Sequence, residues 1–427
     1  VTMGSYTRHM RTHDVVVIGA GLAGLRCAAE LAEHGREVIV LDAGDRVGGR
    51  QRSDRVDGFT LDRGFHVLNP AYPAVRAAVE VDSLSIAAFP TAVRVRRPDG
   101  SMATLAHPVR HPCLLPATLA SGLLGARDLL GLARWLGPLL LRPRATVAGT
   151  DRSLAAGWDA AGLTGPLRTQ VLSAFFAGVL ADATESTSDT YVRLLARSFL
   201  PAVAGLPREG IAALPNELAL RGREAGAEIR LGRAVNRLQR REGRWEVDAG
   251  GEEALLARDV VVAVGAESLE GLVDAPAPST RGLQTWWFAA DETPPSALLT
   301  VDGGREGPIV NALAISATVP EAAPPGRHLV QATCLWSAGA GASEADVRAQ
   351  LARLYGPASS TWQLLRRDDI PHALPALPPP MRRPSPARIG PGLHIAGDHR
   401  DSPSIQGALQ SGLRAARSVI GGEKKWI

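Results

Sequence analysis

Lysine is almost missing from this chain: among 427 residues, 47 of them basic, the only lysines are Lys424 and Lys425. The arginines that replace it are scattered among acids, as in Arg221-Gly222-Arg223-Glu224, and the net charge is only +4. A nucleic-acid reader concentrates its positive charge on one element. No element here does so, and no nucleic-acid partner is expected. Cysteine is scarce too. Cys27, Cys113 and Cys334 are odd in number and far apart, which excludes a zinc ribbon or a CxxC redox pair and fits reduced thiols in a cytoplasmic protein. His107, His111 and Cys113 lie close in sequence, but Pro108 and Pro112 forbid the helix that would put both imidazoles on one face. No metal site is expected. Residues 1–12 are polar and lack the apolar run of a signal peptide. Nor is there a long unbroken hydrophobic run: the most apolar stretch, 113–141, is interrupted by Arg127, Asp128 and Arg134, which argues against a spanning helix. Leucines at 129, 130, 132, 136, 139 and 140 read instead as one or two amphipathic helices. They pack into a core on one reading. On the other they form a peripheral membrane contact that collects an apolar substrate.

What the chain does have is length for two lobes and a hydrophobic fraction of 45%, that of a globular protein. The apolar run 14–18 reads as a buried parallel strand, 22–34 as a helix ended by Gly35, and 37–41 as a second buried strand. Together they form a strand–helix–strand unit. Residues 91–97 and 101–105 flank Pro98-Asp99-Gly100 as a hairpin, and 111–200 is mostly helical in pattern. A helix over 210–225 leads into strands at 228–231, 234–241, 244–248 and 259–264. Strand-like segments follow at 283–290, 297–301, 309–315 and 328–336, then a helix over 343–355. The Pro-rich stretch 371–386 reads as a connector, 392–396 as a last strand and 405–420 as a last helix.

Gly19, Gly21 and Gly24 form G-A-G-L-A-G between the first strand and its helix, the context in which this pattern is informative. Gly19 permits the tight turn, Gly21 lets backbone approach a pyrophosphate, and Gly24 lets helix pack on strand. Leu22 and Ala23 sit in the first helical turn, whose free N–H groups favour phosphate. Asp42, followed by Ala43, ends the second strand where a carboxylate accepts from a ribose diol. Next come Gly48 and Gly49, again allowing close approach, and Arg50, able to pair with a phosphate oxygen. A nicotinamide-only protein has no need of this extension. There is no second strand–GxGxxG–helix unit either, since Gly339-Ala-Gly341 lacks the third glycine. The chain is therefore expected to hold one dinucleotide, FAD.

The segments D-V-V-V-I-G-A-G-L-A-G-L (14–25), V-G-G-R-Q-R-S (47–53), L-H-I-A-G-D (393–398) and S-I-Q-G-A-L-Q-S-G (404–412) together resemble the flavin amine oxidase / phytoene desaturase superfamily. The resemblance implies that Gly397 and Asp398 contact the pyrophosphate and ribityl region, and that Ser404, Ile405, Gly407 and Ala408 lie near the flavin ring. It places Val235 at the adenine end. It also implies a Rossmann-type FAD-binding lobe (a GR2-like, α/β flavoprotein fold) with a second α+β substrate lobe. The FAD lobe is expected from 12–90, 206–280 and 387–427, the substrate lobe from 91–205 and 281–386, and a tail from 1–11.

Within the superfamily the chain departs from the amine oxidases, which carry a lysine near flavin N5 and a tyrosine where Ser404 stands. It resembles the desaturases more closely, through Arg63-Gly64-Phe65-His66 followed by Ala71-Tyr72-Pro73. No cysteine stands where the closing motif would attach flavin, so non-covalent FAD is expected. The expected reaction moves hydride from an apolar substrate, a polyene or specialised metabolite, to flavin N5, with His66 as candidate polar or basic group. Phe176, Trp287 and Trp336 are candidate substrate contacts. The alternatives are an amine oxidase with an atypical site and an isomerase without net redox change. Oxygen, a quinone or a nicotinamide is compatible as electron acceptor.

Overall fold

The computed structural model describes residues 11–250, 255–336 and 340–421. The expected tail over 1–11 lies outside them except for Arg11, which already belongs to a strand, and Lys424, Lys425 and Gly339 also lie outside. Two large sheets organise the chain. The first contains eight strands. Its parallel centre is Leu255–Val262, Arg11–Ile18, Val38–Leu41 and Glu228–Arg230 in that order, with Leu393–Ile395 also parallel to Leu255–Val262. The inner parts of these strands, 15–18, 38–41 and 260–262, are runs of Val, Ile and Leu because both faces are covered. One is covered by helices Leu22–Glu33, Ala213–Glu224 and Ile405–Ile420, the other by residues of strand Arg244–Asp248 and the 264–275 segment. Every residue of Val38–Leu41 is buried. The first strand starts at Arg11 rather than at 14, because parallel pairing with Leu255–Val262 extends past the apolar run.

Helices Leu22–Glu33 and Ile405–Ile420 pack side by side on this sheet. The contact is close enough that a Cβ on Gly412 would strike the Ala23 carbonyl. The first and last helices of the described chain are thus neighbours, and their N-termini open toward the same cavity.

The second sheet has seven strands, in the order Gln363–Pro375, Thr280–Ala290, His328–Trp336, Ile309–Ala314, Leu299–Asp302, Ala92–Arg96 and Met102–Ala106. One face packs Trp286, Phe288, Val330, Ala332 and Cys334 against helix Glu344–Tyr355. The other turns toward the first lobe. Of the Pro-rich stretch expected as a connector over 371–386, residues 371–375 are instead the end of a 13-residue strand, Gln363–Pro375, and 376–386 form the connection to the next strand. Pro371 and Pro375 are tolerated there because the strand is an edge and needs no donor on its outer side.

The helices over 115–198 form a second core around Trp135, Trp158 and Phe176. Asp182, Glu185 and Asp189 are largely internal. Asp189 is 3% exposed, accepts from Trp135 Nε1 at 2.6 Å and pairs with Arg193 at 2.6 Å. Asp182 gathers the N–H groups of Thr184, Ser186 and Thr187 into a tight loop and pairs with Arg281 at 3.1 Å. His107 and His111 likewise serve loops: His107 Nδ1 accepts from Val109 N–H and His111 Nε2 from Thr91 N–H.

Candidate functional site

The turn after the first strand brings two glycine loops together. Gly19 adopts φ +106° and passes beneath the Ala263 carbonyl, where a side chain has no room. Gly24 stacks directly on the Gly19 carbonyl. Gly48 N–H donates to the Ala20 carbonyl at 2.8 Å, and Gly21 and Gly48 form a parallel bridge. A Cβ on Gly49 would stand 3.4 Å from Gly21 Cα, whereas a Cβ on Gly21 itself would meet nothing within 4 Å. The first turn of helix Leu22–Glu33 therefore faces an open cradle bounded by backbone, with its unpaired N–H groups directed there.

Asp42 fixes the far end of this cradle. Its Oδ2 accepts from Ala20 N–H at 2.6 Å and its Oδ1 from Gly44 N–H at 2.7 Å. The two oxygens keep further lone pairs for hydroxyl donors. The 232–235 segment runs beside it, with Gly232 N–H on the Gly44 carbonyl and Arg233 N–H on the Asp42 carbonyl. Val235 is thus placed in extended chain before strand Arg237–Arg241 rather than within it.

A cavity of about 870 Å³ continues from the cradle between the sheets. The lining includes Leu22, Ala23, Gly48, Gly49 and Arg50 on one side and Gly397, Asp398, Ser404, Ile405 and Ala408 on another, with Gly64, Phe65 and His66 between them. Arg50 spans the site: Nη2 pairs with Asp398 at 2.7 Å and Nη1 donates to the Ala373 carbonyl at 2.7 Å. Burial opposes its charge, but the Asp398 carboxylate holds the guanidinium above its ordinary pKa. Ser404 caps the last helix by accepting from Gly407 N–H at 3.0 Å, and any side chain on Gly407 would collide with the Ser402 carbonyl. Tyr191 donates to the Pro403 carbonyl at 3.1 Å and so fixes the approach to that cap. Gly64, at φ +95°, leaves no space for a Cβ beside Ile370.

His66 is held by its own loop. Its Nε2 lies 3.0 Å from the Arg63 carbonyl and its Nδ1 3.4 Å from Gln51 Nε2. A carbonyl can only accept, so Nε2 carries the proton and Nδ1 accepts from the amide. Burial pushes its pKa down to about 4. The ring is neutral at pH 7 with both nitrogens engaged, which suits a positioning group better than a base. From an unperturbed value of 6.5, the native state binds fewer protons than the unfolded chain between pH 6.5 and 4. The contribution to stability is complete above that window and is lost as pH falls through it. His66→Gln is expected to flatten the acid-side fall in unfolding temperature relative to wild type. Parallel curves would contradict the neutral ring.

The three candidate substrate contacts do not reach the cavity. Phe176 turns into the helical core against Trp158, with ring centroids 6.0 Å apart, and its neighbour Phe175 lines the cavity instead. Trp287 is 2% exposed and donates to Asp368 at 3.0 Å. Trp336 sits at the far end of its strand, opposite Gly282. Adjacent residues of a helix point some 100° apart, so the sequence Phe175-Phe176 could not decide which ring faces inward. Gln51 and Asn311 also line the cavity; Gln51 stands within the 47–53 motif without having been singled out, and Asn311 belongs to no motif.

Shape and donor set fit a flavin dinucleotide. The cradle is one that a side chain at Gly21 would fill, two helix N-termini meet there, and Gln51 Oε1 is buried beside it without a partner. No cysteine lines the cavity.

Comparison with known proteins agrees. The profile of the flavin-containing amine oxidoreductase family matches residues 22–420. A putative flavin-containing monoamine oxidase of Mycobacterium tuberculosis is 50% identical over 66 residues, 16% of this chain and 14% of that protein. Phytoene dehydrogenase of Streptomyces griseus is 30% identical over 259 residues, 53% of this chain and 49% of that protein. The matched stretches thus cover less than half the length of these relatives. An oxidoreductase structure from Methanosarcina mazei shares the fold, with a TM-score of 0.71 at 19% identity over 96% of this chain and 100% of that one. The chain belongs to the family of flavin-containing amine oxidoreductases, and FAD is its cofactor.

Proposed function

We propose that this flavin-containing amine oxidoreductase family member works as a desaturase or dehydrogenase on an apolar substrate. The observation that carries this reading is the wall of the cavity away from the cradle. It is built from Phe89, Val93, Leu105, Phe175, Leu283 and Leu299 and presents aliphatic and aromatic surface. Bound FAD supplies the hydride acceptor. The chain's own residues hold a carbon skeleton by shape and exclude water, which is what hydride abstraction asks of a site. His66 keeps the 63–66 loop in place rather than removing the proton. An amine substrate is the second reading. It is favoured by Tyr72 and Tyr191, which line the same cavity and whose ring faces attract a cation.

The test is anaerobic mixing of the FAD-loaded protein with a polyene panel and an amine panel while the oxidised-flavin band is followed. Bleaching by polyenes is expected. Bleaching by amines alone would replace the first reading with the second. Conversion of a polyene to an isomer with no net change in flavin redox state and no consumption of an added acceptor would mark an isomerase.

We further propose that the protein docks on anionic lipid through helix Ala126–Leu141. That helix buries Asp128, Gly131, Trp135 and Leu139 but exposes Leu129, Leu130, Leu140 and Leu141, joined by Leu119. Residues 101–150 contain five arginines and one acid, Asp128, and that acid is buried. Apolar anchors ringed by arginine match an anionic interface. Among the described residues no helix is long and apolar enough to cross a membrane. The double variant Leu129→Asp, Leu141→Asp is expected to lower binding to phosphatidylserine vesicles about tenfold with FAD content unchanged. Binding that survives would rule this surface out.

A further inference from the structure

The cavity-facing side of the second sheet carries a polar row through an otherwise aliphatic wall. Asp368, Thr285, Thr333 and Asn311 stand in register on four neighbouring strands. Thr285, Thr333 and Gln331 are at most 1% exposed and Asn311 is 5% exposed. Buried amides and hydroxyls are costly unless each is paired, so the direction of every hydrogen bond in the row matters.

Thr333 Oγ1 donates to Gln331 Oε1 at 2.9 Å, and Gln331 Nε2 donates to Asn311 Oδ1 at 3.1 Å. The relay occupies the acceptor of the Asn311 amide and so turns its Nδ2 outward. Among the described residues that nitrogen has no hydrogen-bond partner. Asn311 lines the cavity together with Gly178, Phe175 and Leu313, and a Cβ on Gly178 would strike its Nδ2. Helix Ser173–Leu180 thus leaves room at Gly178 for this N–H donor within the apolar part of the wall.

We infer that Asn311 is a specificity-determining residue that donates to a single acceptor oxygen, a ketone, ether or hydroxyl, on an otherwise apolar substrate. The inference rests on the apolar-substrate reading above. An analogue lacking the oxygen leaves this buried amide donor unpaired against the apolar wall and is disfavoured for that reason.

Two probes that differ in one group test it: farnesylacetone, an acceptor-only ketone, and the hydrocarbon of the same skeleton with CH₂ in place of C=O. Dissociation constants are read from the perturbation of the flavin absorption band of the FAD-loaded full chain. Wild type is expected to bind the ketone about tenfold more tightly than the hydrocarbon. Asn311→Leu and Asn311→Asp should each erase that preference, Asn311→Leu leaving hydrocarbon affinity within about twofold. Should Asn311→Leu fail to fold with Gln331 left unpaired, the double variant Asn311→Leu, Gln331→Leu removes both polar groups and carries the same expectation. Equal affinities in wild type, or a ketone preference that persists in the folded variants, would overturn the role of Asn311 alone. Failure of wild type to bind either probe would overturn the apolar-substrate reading and this inference with it.

Discussion

Gly21→Val is expected to yield a folded protein that purifies without yellow colour. Gly21 sits at φ −77°, ψ 178°, extended backbone in which a β-branched residue is at ease. Its added Cβ would meet no protein atom within 4 Å. The polypeptide therefore loses nothing by the change, and the whole effect falls on whatever lies in the cradle. A pyrophosphate held by backbone N–H groups would be pushed out of hydrogen-bond range, and a loss in FAD affinity of about a hundredfold, roughly 3 kcal/mol, is expected. Gly24→Val makes the contrast. It collides with the Gly19 carbonyl and comes within 3.3 Å of the Ala263 side chain, so helix must lift from strand at a cost of about 1–3 kcal/mol. The flavin-to-protein absorbance ratio and the thermal midpoint separate the two. Gly21→Val should lose the first and keep the second, and Gly24→Val should lower both. Normal flavin content in Gly21→Val would remove the phosphate cradle from this turn.

The cradle was legible because its residues are consecutive and each glycine answers a local demand. The same holds for the strand–helix–strand unit and for the hairpin over 91–105, where pattern and turn chemistry agree. What escaped was decided by partners far along the chain. Strand Gln363–Pro375 hides behind prolines, and only its position at a sheet edge makes them harmless. The hairpin Ser53–Val56 and Phe59–Asp62 went unread although Asp57-Gly58, at φ 49° and 84°, is a strong hairpin turn. Its residues Ser53-Asp54-Arg55 carry no apolar alternation to announce a strand.

The site divides the same way. Residues near the nucleotide were marked by motif, whereas the substrate wall was not, since an apolar side chain looks alike whether it faces ligand or core. Phe175 and Phe176 show the limit: one residue of helical rotation exchanges cavity for interior. Asn311 and Gln331 are ordinary polar interruptions in strand-like runs. Only the register of Ile309–Ala314 on His328–Trp336 sets them side by side. His66 was found by its place in a motif, but its neutral state depends on burial and its tautomer on the Arg63 carbonyl and on Gln51, fifteen residues earlier in the chain.

Arg366→Met should have the second large effect, through the junction of sheet and loop. Arg366 donates to Asp54 at 2.8 Å and to the Asp62 carbonyl at 3.0 Å, and it pairs with Asp368 at 2.9 Å. It is 20% exposed in its side chain, and its two carboxylate partners are 14% and 15% exposed. Burial works to raise the Asp54 pKa, but the Arg63 and Arg366 guanidiniums prevail and hold it below its ordinary value. Burial likewise pushes Asp368 up, with Arg366 opposing. Removing the guanidinium leaves two carboxylates partly desolvated with less counter-charge, and a loss of about 2–3 kcal/mol is expected. Because a depressed carboxylate pKa contributes stability that is present above its unfolded value and lost as pH falls through the native one, the difference between wild type and variant should shrink under acid. The hairpin that Arg366 clasps leads directly into Arg63-Gly64-Phe65-His66, so the loop beside the cavity loosens while the glycine cradle is untouched. FAD should stay bound, and flavin reduction by substrate should slow about tenfold. Unchanged stability would show that the clasp contributes nothing net. Loss of FAD along with the slower reduction would show that cradle and loop are held by one and the same device.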